Sequence, residues 1–414
     1  MVSPLDVQRC PGATTCGVVP RTARWGFVLF GLFWGGWAVA AADIEHALHL
    51  SAGGFGLLLS LSLVGGSSAN FVGGTLCERF GTLNVLRASL VTWALLLLLG
   101  AATRTPLTVE LVIVLIVLSG GFVDVSMNVA AAAGLAERPG MLVAFHARFN
   151  AGAAAGAGLT GALLAARVSW RWMWVAVAGA AVLLSITSHG DSIRQEVNGD
   201  RRSLYGLVAL LRREHLLLLA MTFALAAMVE GGIDLWGVLF LRTRLASGLL
   251  VGAGGAVLGY AVGAFARVVF GPRAGHKGAA RGLTIGAGIA SGGVAVLATA
   301  PVAAIGAVGL VLAAGGISMC WPLLVAQSSG GKQGAGAIVG AVSACGYLGL
   351  VAGPAMVGWV ADLVGLRGAL GILAAAAVVV AVVPLTWRDS VGENPSWRRT
   401  LSQMRKRPIP PPVD

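Results

Sequence analysis

Gly74-Thr75-Leu76-Cys77-Glu78-Arg79-Phe80-Gly81 stands between two long apolar runs. A degraded second octet, Gly271-Pro272-Arg273-Ala274-Gly275-His276-Lys277-Gly278, follows at a fixed distance: Gly74 to Gly271 and Gly81 to Gly278 are both steps of 197 positions. The same step carries Gly152, Gly156 and Gly161 onto Gly349, Gly353 and Gly358. In a chain of 414 residues, a repeat of that length reads as a duplicated half.

The halves are built from apolar runs. The chain is 57% hydrophobic and 11% charged, whereas soluble domains carry about 25% charged residues. Runs of about 20 apolar residues cross the hydrocarbon layer as helices. That rule gives about twelve spans, near 24–43, 53–76, 83–102, 107–133, 141–165, 170–188, 216–240, 248–270, 281–300, 302–327, 335–361 and 366–387. The 61 glycines suit helices that must approach closely in lipid. The expected fold is therefore an all-α membrane protein with twelve transmembrane helices in two pseudo-symmetric six-helix bundles. Duplicated sets of spans are the layout of secondary transporters. The expected division is a cytoplasmic N-terminal segment (1–22), a first bundle (23–188), a cytoplasmic linker (189–215), a second bundle (216–387) and a basic cytoplasmic tail (388–414).

A net charge of +12 would suggest a nucleic-acid partner in a soluble protein. Its distribution argues otherwise. With both termini placed in the cytoplasm, the terminal segments and same-side loops hold 22 Lys and Arg. The opposite loops hold six, Arg104, Arg167, Arg171, Arg242, Arg244 and Arg367, while Arg148 falls within a span. Cytoplasmic loops carry such an excess. The expectation is a multi-pass protein of the plasma membrane with both ends cytoplasmic. Cys10, Cys16, Cys77, Cys320 and Cys345 make neither a disulfide framework nor a zinc spacing. Arg21 and Arg24 precede a full first span rather than a cleavable signal.

The octet at Gly74 resembles the loop between the second and third spans of the major facilitator superfamily, G-x-x-x-D-R-x-G followed by basic residues. Here Glu78 replaces the usual aspartate, and Thr82 and Leu83 stand where basic residues usually fall. Three further stretches, Gly120–Asn128, Phe145–Gly152 and Glu230–Trp236, are similar to a bacterial inner-membrane subgroup loosely akin to fucose-permease-type sugar transporters. The resemblance covers about residues 24–387. It implies two bundles rocking about a cavity lined by the first, fourth, seventh and tenth spans. It also implies that Glu78 faces the start of the eleventh span, where the helix dipole favours a carboxylate. Gly74, Glu78, Arg79 and Gly81 are thus expected to gate the cytoplasmic side, with Glu78 latching near residue 335. Gly275 stands at the acidic position of the second octet, so no mirrored latch is expected.

Ionisable groups inside spans are costly and mark function by default. Three i, i+4 pairs each share a helix face: Asp124 with Asn128, His146 with Asn150, and Glu230 with Asp234. Asp124 lies roughly 15 Å from the inner end of its span, and His146 at similar depth, within reach of Asn128. Glu230 is roughly 21 Å from the inner end and is the leading candidate to carry a proton. Asp234 is expected nearer the external mouth. Trp34, Trp37, Trp236 and Trp321 offer flat surfaces for stacking, although packing is the commoner use of tryptophan. Arg148 and Arg267 are expected to snorkel to the inner surface. Asn70, Gln327 and Tyr347 are further polar groups within spans.

Other signals fail. Gly156-Ala157-Gly158-Leu159-Thr160-Gly161 matches a dinucleotide fingerprint but lies in an apolar span with no preceding strand. Gln333 after Gly331-Lys332 spoils a phosphate loop. Asp43, Glu45, His46 and His49 read as a hydrated external loop rather than a metal site. No cofactor, metal or enzymatic constellation is expected. The favoured function is a monomeric secondary transporter of a small polar, sugar-like solute, coupled to protons by alternating access. The alternatives are a proton-driven efflux pump for amphipathic compounds and a non-transporting sensor or assembly protein on the same scaffold.

Overall fold

The computed structural model describes residues 19–135, 139–188, 212, 216–271, 276–329 and 335–391. The N-terminal segment to residue 18, nearly all of the expected linker and the tail beyond 391 lie outside the described residues. So do Cys10, Cys16 and residues 272–275 of the second octet.

The first half consists of α1 (Arg21–Leu48), α2 (Ala52–Phe80), α3 (Thr82–Ala102), α4 (Pro106–Gly134), α5 (Pro139–Ala165) and α6 (Arg171–Thr187). The second half opens with α7, which runs over Leu217–Gly232, a π-helical turn Ile233–Gly237, and Val238–Thr243. α8 (Leu249–Phe270), α9 (His276–Thr299) and α10 (Ala303–Ile317, resuming over Cys320–Ser329) follow. The final stretch, Ala335–Val391, is broken at Gly365 (φ 81, ψ 158) into α11 (335–364) and α12 (366–391). Among the described residues there is no strand, and nine stretches are long and apolar enough to cross a membrane, the ninth holding both α11 and α12. With α5 and the shorter α6 this is consistent with twelve spans.

Local chemistry sets several helix ends. Ser51 caps α2, its Oγ accepting from the Gly54 amide at 3.1 Å. Pro106 opens α4, where its missing N–H costs nothing. The octet corrects the sequence reading: it is not a loop. Gly74–Phe80 forms the last turns of α2, and only Gly81, at φ 86, makes the bend into α3.

The repeat seen in the sequence reappears as repeated packing. A Cβ on Gly152 or Gly156 of α5 would overlap the Val28 or Leu32 carbonyl of α1. A Cβ on Gly349 or Gly353 of α11 would likewise crowd Ala224 or Met228 of α7. Small residues let these backbones touch, which substitutes for water-driven burial in lipid. The third pair of the set marks the seams between halves. Gly161 of α5 meets Ala253 of α8, and Gly358 of α11 meets Ala52 of α2. The halves therefore join along α2–α11 and α5–α8.

Candidate functional site

A cavity of about 220 Å³ lies between the halves, lined from α1, α2, α4, α5, α7, α8 and α11. Its aromatic wall is Phe30, Trp34, Trp37, Phe149, Tyr260 and Tyr347. Its charged groups are Asp124 of α4 and Asp234 of α7, one from each half. Leu59, Leu63, Leu235 and Leu350 are among the apolar remainder.

Asp124 is held by two neighbours. Asn128 Nδ2 donates to Asp124 Oδ1 at 2.9 Å, and the Tyr347 hydroxyl donates to Oδ2 at 3.3 Å across the halves. The i, i+4 spacing in α4 makes the first contact and the approach of α11 makes the second. The other end of Asn128 meets α5: His146 Nε2 lies 3.2 Å from Asn128 Oδ1, and His146 Nδ1 lies 2.7 Å from Leu142 O. Both partners are oxygens and a neutral imidazole donates from one nitrogen only, so the neutral ring can donate to Leu142 O or to Asn128 Oδ1 but not to both. The contact expected between His146 and Asn128 is thus present. Ser126, a possible cap for Asp124, bonds instead to Phe122 O at 2.6 Å.

The second cluster centres on a residue that the sequence reading assigned elsewhere. Arg267 does not snorkel. It is 7% exposed, and three of its N–H groups are engaged by three helices. Nη2 donates to Glu230 Oε1 of α7 at 2.8 Å, Nη1 to Asn150 Oδ1 of α5 at 2.6 Å, and Nε to Ser318 O of α10 at 3.0 Å. A buried ion pair survives when its geometry is good and further hydrogen bonds surround it, and here two other N–H groups of the guanidinium also find acceptors. Asn150 therefore serves the Arg267 cluster, not His146, although the two share a face of α5. The missed signal was a charge count: α7 brings two acids into the membrane, and Arg267 is the base one helix away able to answer one of them.

Glu230 and Asp234 line one small recess together with Asn150 and Tyr260. Tyr260 and Asp234 stand beside each other in this recess. Asp234 lies in the π-helical turn Ile233–Gly237, a distortion common at functional sites because it re-aims side chains. Asp234 is accordingly a cavity residue rather than a group at the external mouth. Trp236, on the same turn, is fully buried against Phe55 and does not line the cavity; Trp34 and Trp37 do. Trp321 packs on Phe223 and, edge-on, on Tyr347. Arg148 is exposed, its guanidinium 4.5 Å from the Phe145 ring centre.

The face that holds the end of α1 and the start of α2, the far face, is closed by contacts between the halves. Asp43 of α1 pairs with Arg242 of α7 at 2.5 Å. Asp362 Oδ2 of α11 accepts from Ser51 Oγ at 2.9 Å and from the Gly53 amide at 3.0 Å. That carboxylate sits at the N-terminus of α2, where helix polarity favours it. Asp43, Glu45 and His46 therefore form the last turns of α1, not a loop. On the other face, Glu78 is half-buried near the end of α2. The side chains of 335–341, which it was expected to latch, lie outside the described residues, as does that of Asn70.

The Major Facilitator Superfamily sequence profile matches residues 25–354. An uncharacterized MFS-type transporter of Yersinia pestis is 25% identical over 366 residues, covering 87% of this chain and 93% of that protein. The fold is similar to two crystal structures of the nucleoside transporter NupG, with TM-scores of 0.69 and 0.67 at 14% and 16% identity. It is also similar to the human organic anion transporter MFSD10, at TM-score 0.65 and 16% identity. Each of these superpositions covers 88% of this chain and 98% of the other.

Proposed function

The chain belongs to the major facilitator superfamily and is a multi-pass membrane transporter, and from that premise we propose that it carries a small organic solute by alternating access, coupled to protons. One observation carries the reading. Two carboxylates from opposite halves, Asp124 and Asp234, line a single cavity whose far face is closed by contacts between the halves. Those contacts join surfaces that can separate without unfolding either bundle. Retaining acids in the membrane at such cost calls for a use, and exchange of protons is the use that suits a cavity exposed to each side in turn.

Glu230 was the leading proton carrier on sequence grounds. Its pairing with Arg267 favours a different division of labour. Glu230 and Arg267 fix the positions of α7 and α8, and Asp234, beside a phenol rather than paired with a guanidinium, exchanges the proton. Asp124, Asn128 and His146 form a second polar line leading from the cavity into α5. On the near face Glu78 and Arg79, with the bend at Gly81, act as the gate. The chain works as a monomer in the plasma membrane with both termini cytoplasmic.

The lining bears on the solute. A sugar asks for donors and acceptors around its ring, and this cavity offers mainly rings and aliphatic groups. The amphipathic class fits better than the sugar-like one. The test is reconstitution with a trapped pH-sensitive dye. Addition of an accepted solute is expected to move protons in the wild type and not in Asp234→Asn. Solute exchange that proceeds at full rate without proton movement would remove coupling from the reading.

A further inference from the structure

We infer that the central cavity is a site for an organic cation built on an aromatic or apolar body, an inference that rests on the transport reading above. The argument begins with charge. Among the described residues lining the cavity there are two carboxylates, Asp124 and Asp234, and no Lys, Arg or His. Arg267 is not among the lining residues; its Nη2, Nη1 and Nε donate to Glu230, Asn150 and Ser318. Glu230, Asp234 and Arg267 together hold two acids and one base, so the Arg267 cluster leaves one negative charge when both acids are ionised.

The walls answer the other half of a ligand. Six aromatic rings face the space, and ring faces attract cations electrostatically, most strongly where water is excluded. The Tyr347 hydroxyl is already turned to Asp124, and Tyr260 stands beside Asp234. What these residues present to a ligand is therefore ring surface beside a carboxylate, the pairing that recognises an ammonium group carried on a flat or greasy skeleton.

Rival ligands fit less well. An anion would enter between two carboxylates, and like charges at close range in a low dielectric repel by several kcal/mol. A neutral apolar ligand would exclude water from both acids and give nothing in return. A polyol would find Ser67, the two acids, the two phenols and the indole N–H groups of Trp34 and Trp37 as its polar partners, on walls otherwise made of ring faces and aliphatic groups that give its hydroxyls nothing. The cation answers the negative charge that Glu230, Asp234 and Arg267 together leave, and uses the aromatic wall as well.

Benzyltrimethylammonium is the probe, titrated by intrinsic tryptophan fluorescence into the whole protein in lipid nanodiscs. N-benzylacetamide, phenylacetate and uridine serve as neutral, anionic and nucleoside comparators. The cation is expected to bind about tenfold or more tighter than any comparator. Asp234→Asn and Asp124→Asn are each expected to weaken it about tenfold or more. Each variant is used only if its thermal midpoint without ligand matches the wild type. Asp234→Glu, which keeps the charge, should restore much of the affinity. Failure of the cation to bind, equal binding of the neutral amide, or wild-type cation affinity in both asparagine variants overturns the inference. Counterflow in proteoliposomes separates the two levels. Movement of uridine with no effect of the cation would sink the cation site and leave transport standing. Cavity cysteines reachable from one face alone would sink transport itself, and the cation site with it.

Discussion

Arg267 of α8 reaches Asn150 of α5 at 2.6 Å while it holds Glu230 of α7 at 2.8 Å. One guanidinium thus makes an ion pair inside the second half and a hydrogen bond to the first. When the halves part, the ion pair can travel intact, and the bond to Asn150 is the one that must break.

Removing one partner of this pair strands the other in a buried site. Arg267→Met is expected to destabilise the protein by about 3–5 kcal/mol, and Glu230→Gln by a comparable amount. The double variant should lose less than either single change predicts, because no unpaired charge remains. Thermal unfolding midpoints in detergent, read as a double-mutant cycle, check this.

Helix contact through glycine should be unforgiving where backbones touch and tolerant elsewhere. A Cβ on Gly35 would overlap the Ala153 carbonyl, and one on Gly349 would overlap that of Ala224. Leucine at either position is expected to abolish folded, monodisperse protein. A Cβ on Gly74 would meet nothing within 4 Å, so Gly74→Ala, within α2, should stabilise the protein by about 0.5–1 kcal/mol. Gly81→Ala, at φ 86 and ψ 130, should cost about 1–3 kcal/mol.

These glycines also mark how far the sequence could be read. The 197-residue offset was visible because close backbone approach demands glycine at Gly152, Gly156 and Gly161 and again at their copies. Length and hydropathy place apolar spans, and i, i+4 spacing placed Asp124 beside Asn128. Arg267 was misread because periodicity gives depth in the membrane but not what a neighbouring helix brings to that depth. The π-turn at Ile233–Gly237 was equally hidden. One extra residue in a helical turn shifts the facing of Trp236 relative to an ideal helix and leaves no mark in composition.

The closed far face should yield to loss of its carboxylate. Asp362 accepts from Ser51 and from the Gly53 amide, bonds to a charged group that are worth about 1.5–3 kcal/mol each. Asp362→Asn is expected to shift the conformational equilibrium toward far-face opening by about tenfold or more. Spin-label distances between the far ends of α2 and α11 would report this as a new, longer population.

The line from Asp124 to His146 runs through one amide. Asn128→Ala removes both contacts that Asn128 makes, to Asp124 at 2.9 Å and to His146 at 3.2 Å. Solute-driven proton movement is expected to fall about tenfold or more, while solute binding changes little. Equal losses of binding and proton movement would assign Asn128 to the solute instead.

The central claim is that a cavity between two bundles is offered to each side of the membrane in turn. A single cysteine at Ser67, which lines the cavity, placed in a chain whose native cysteines are replaced, tests it most directly. Membrane-impermeant thiol reagents applied separately to the two faces of sealed vesicles should both label it, in proportions that shift with the pH gradient. Labelling from one face alone, whatever the gradient, would contradict the account.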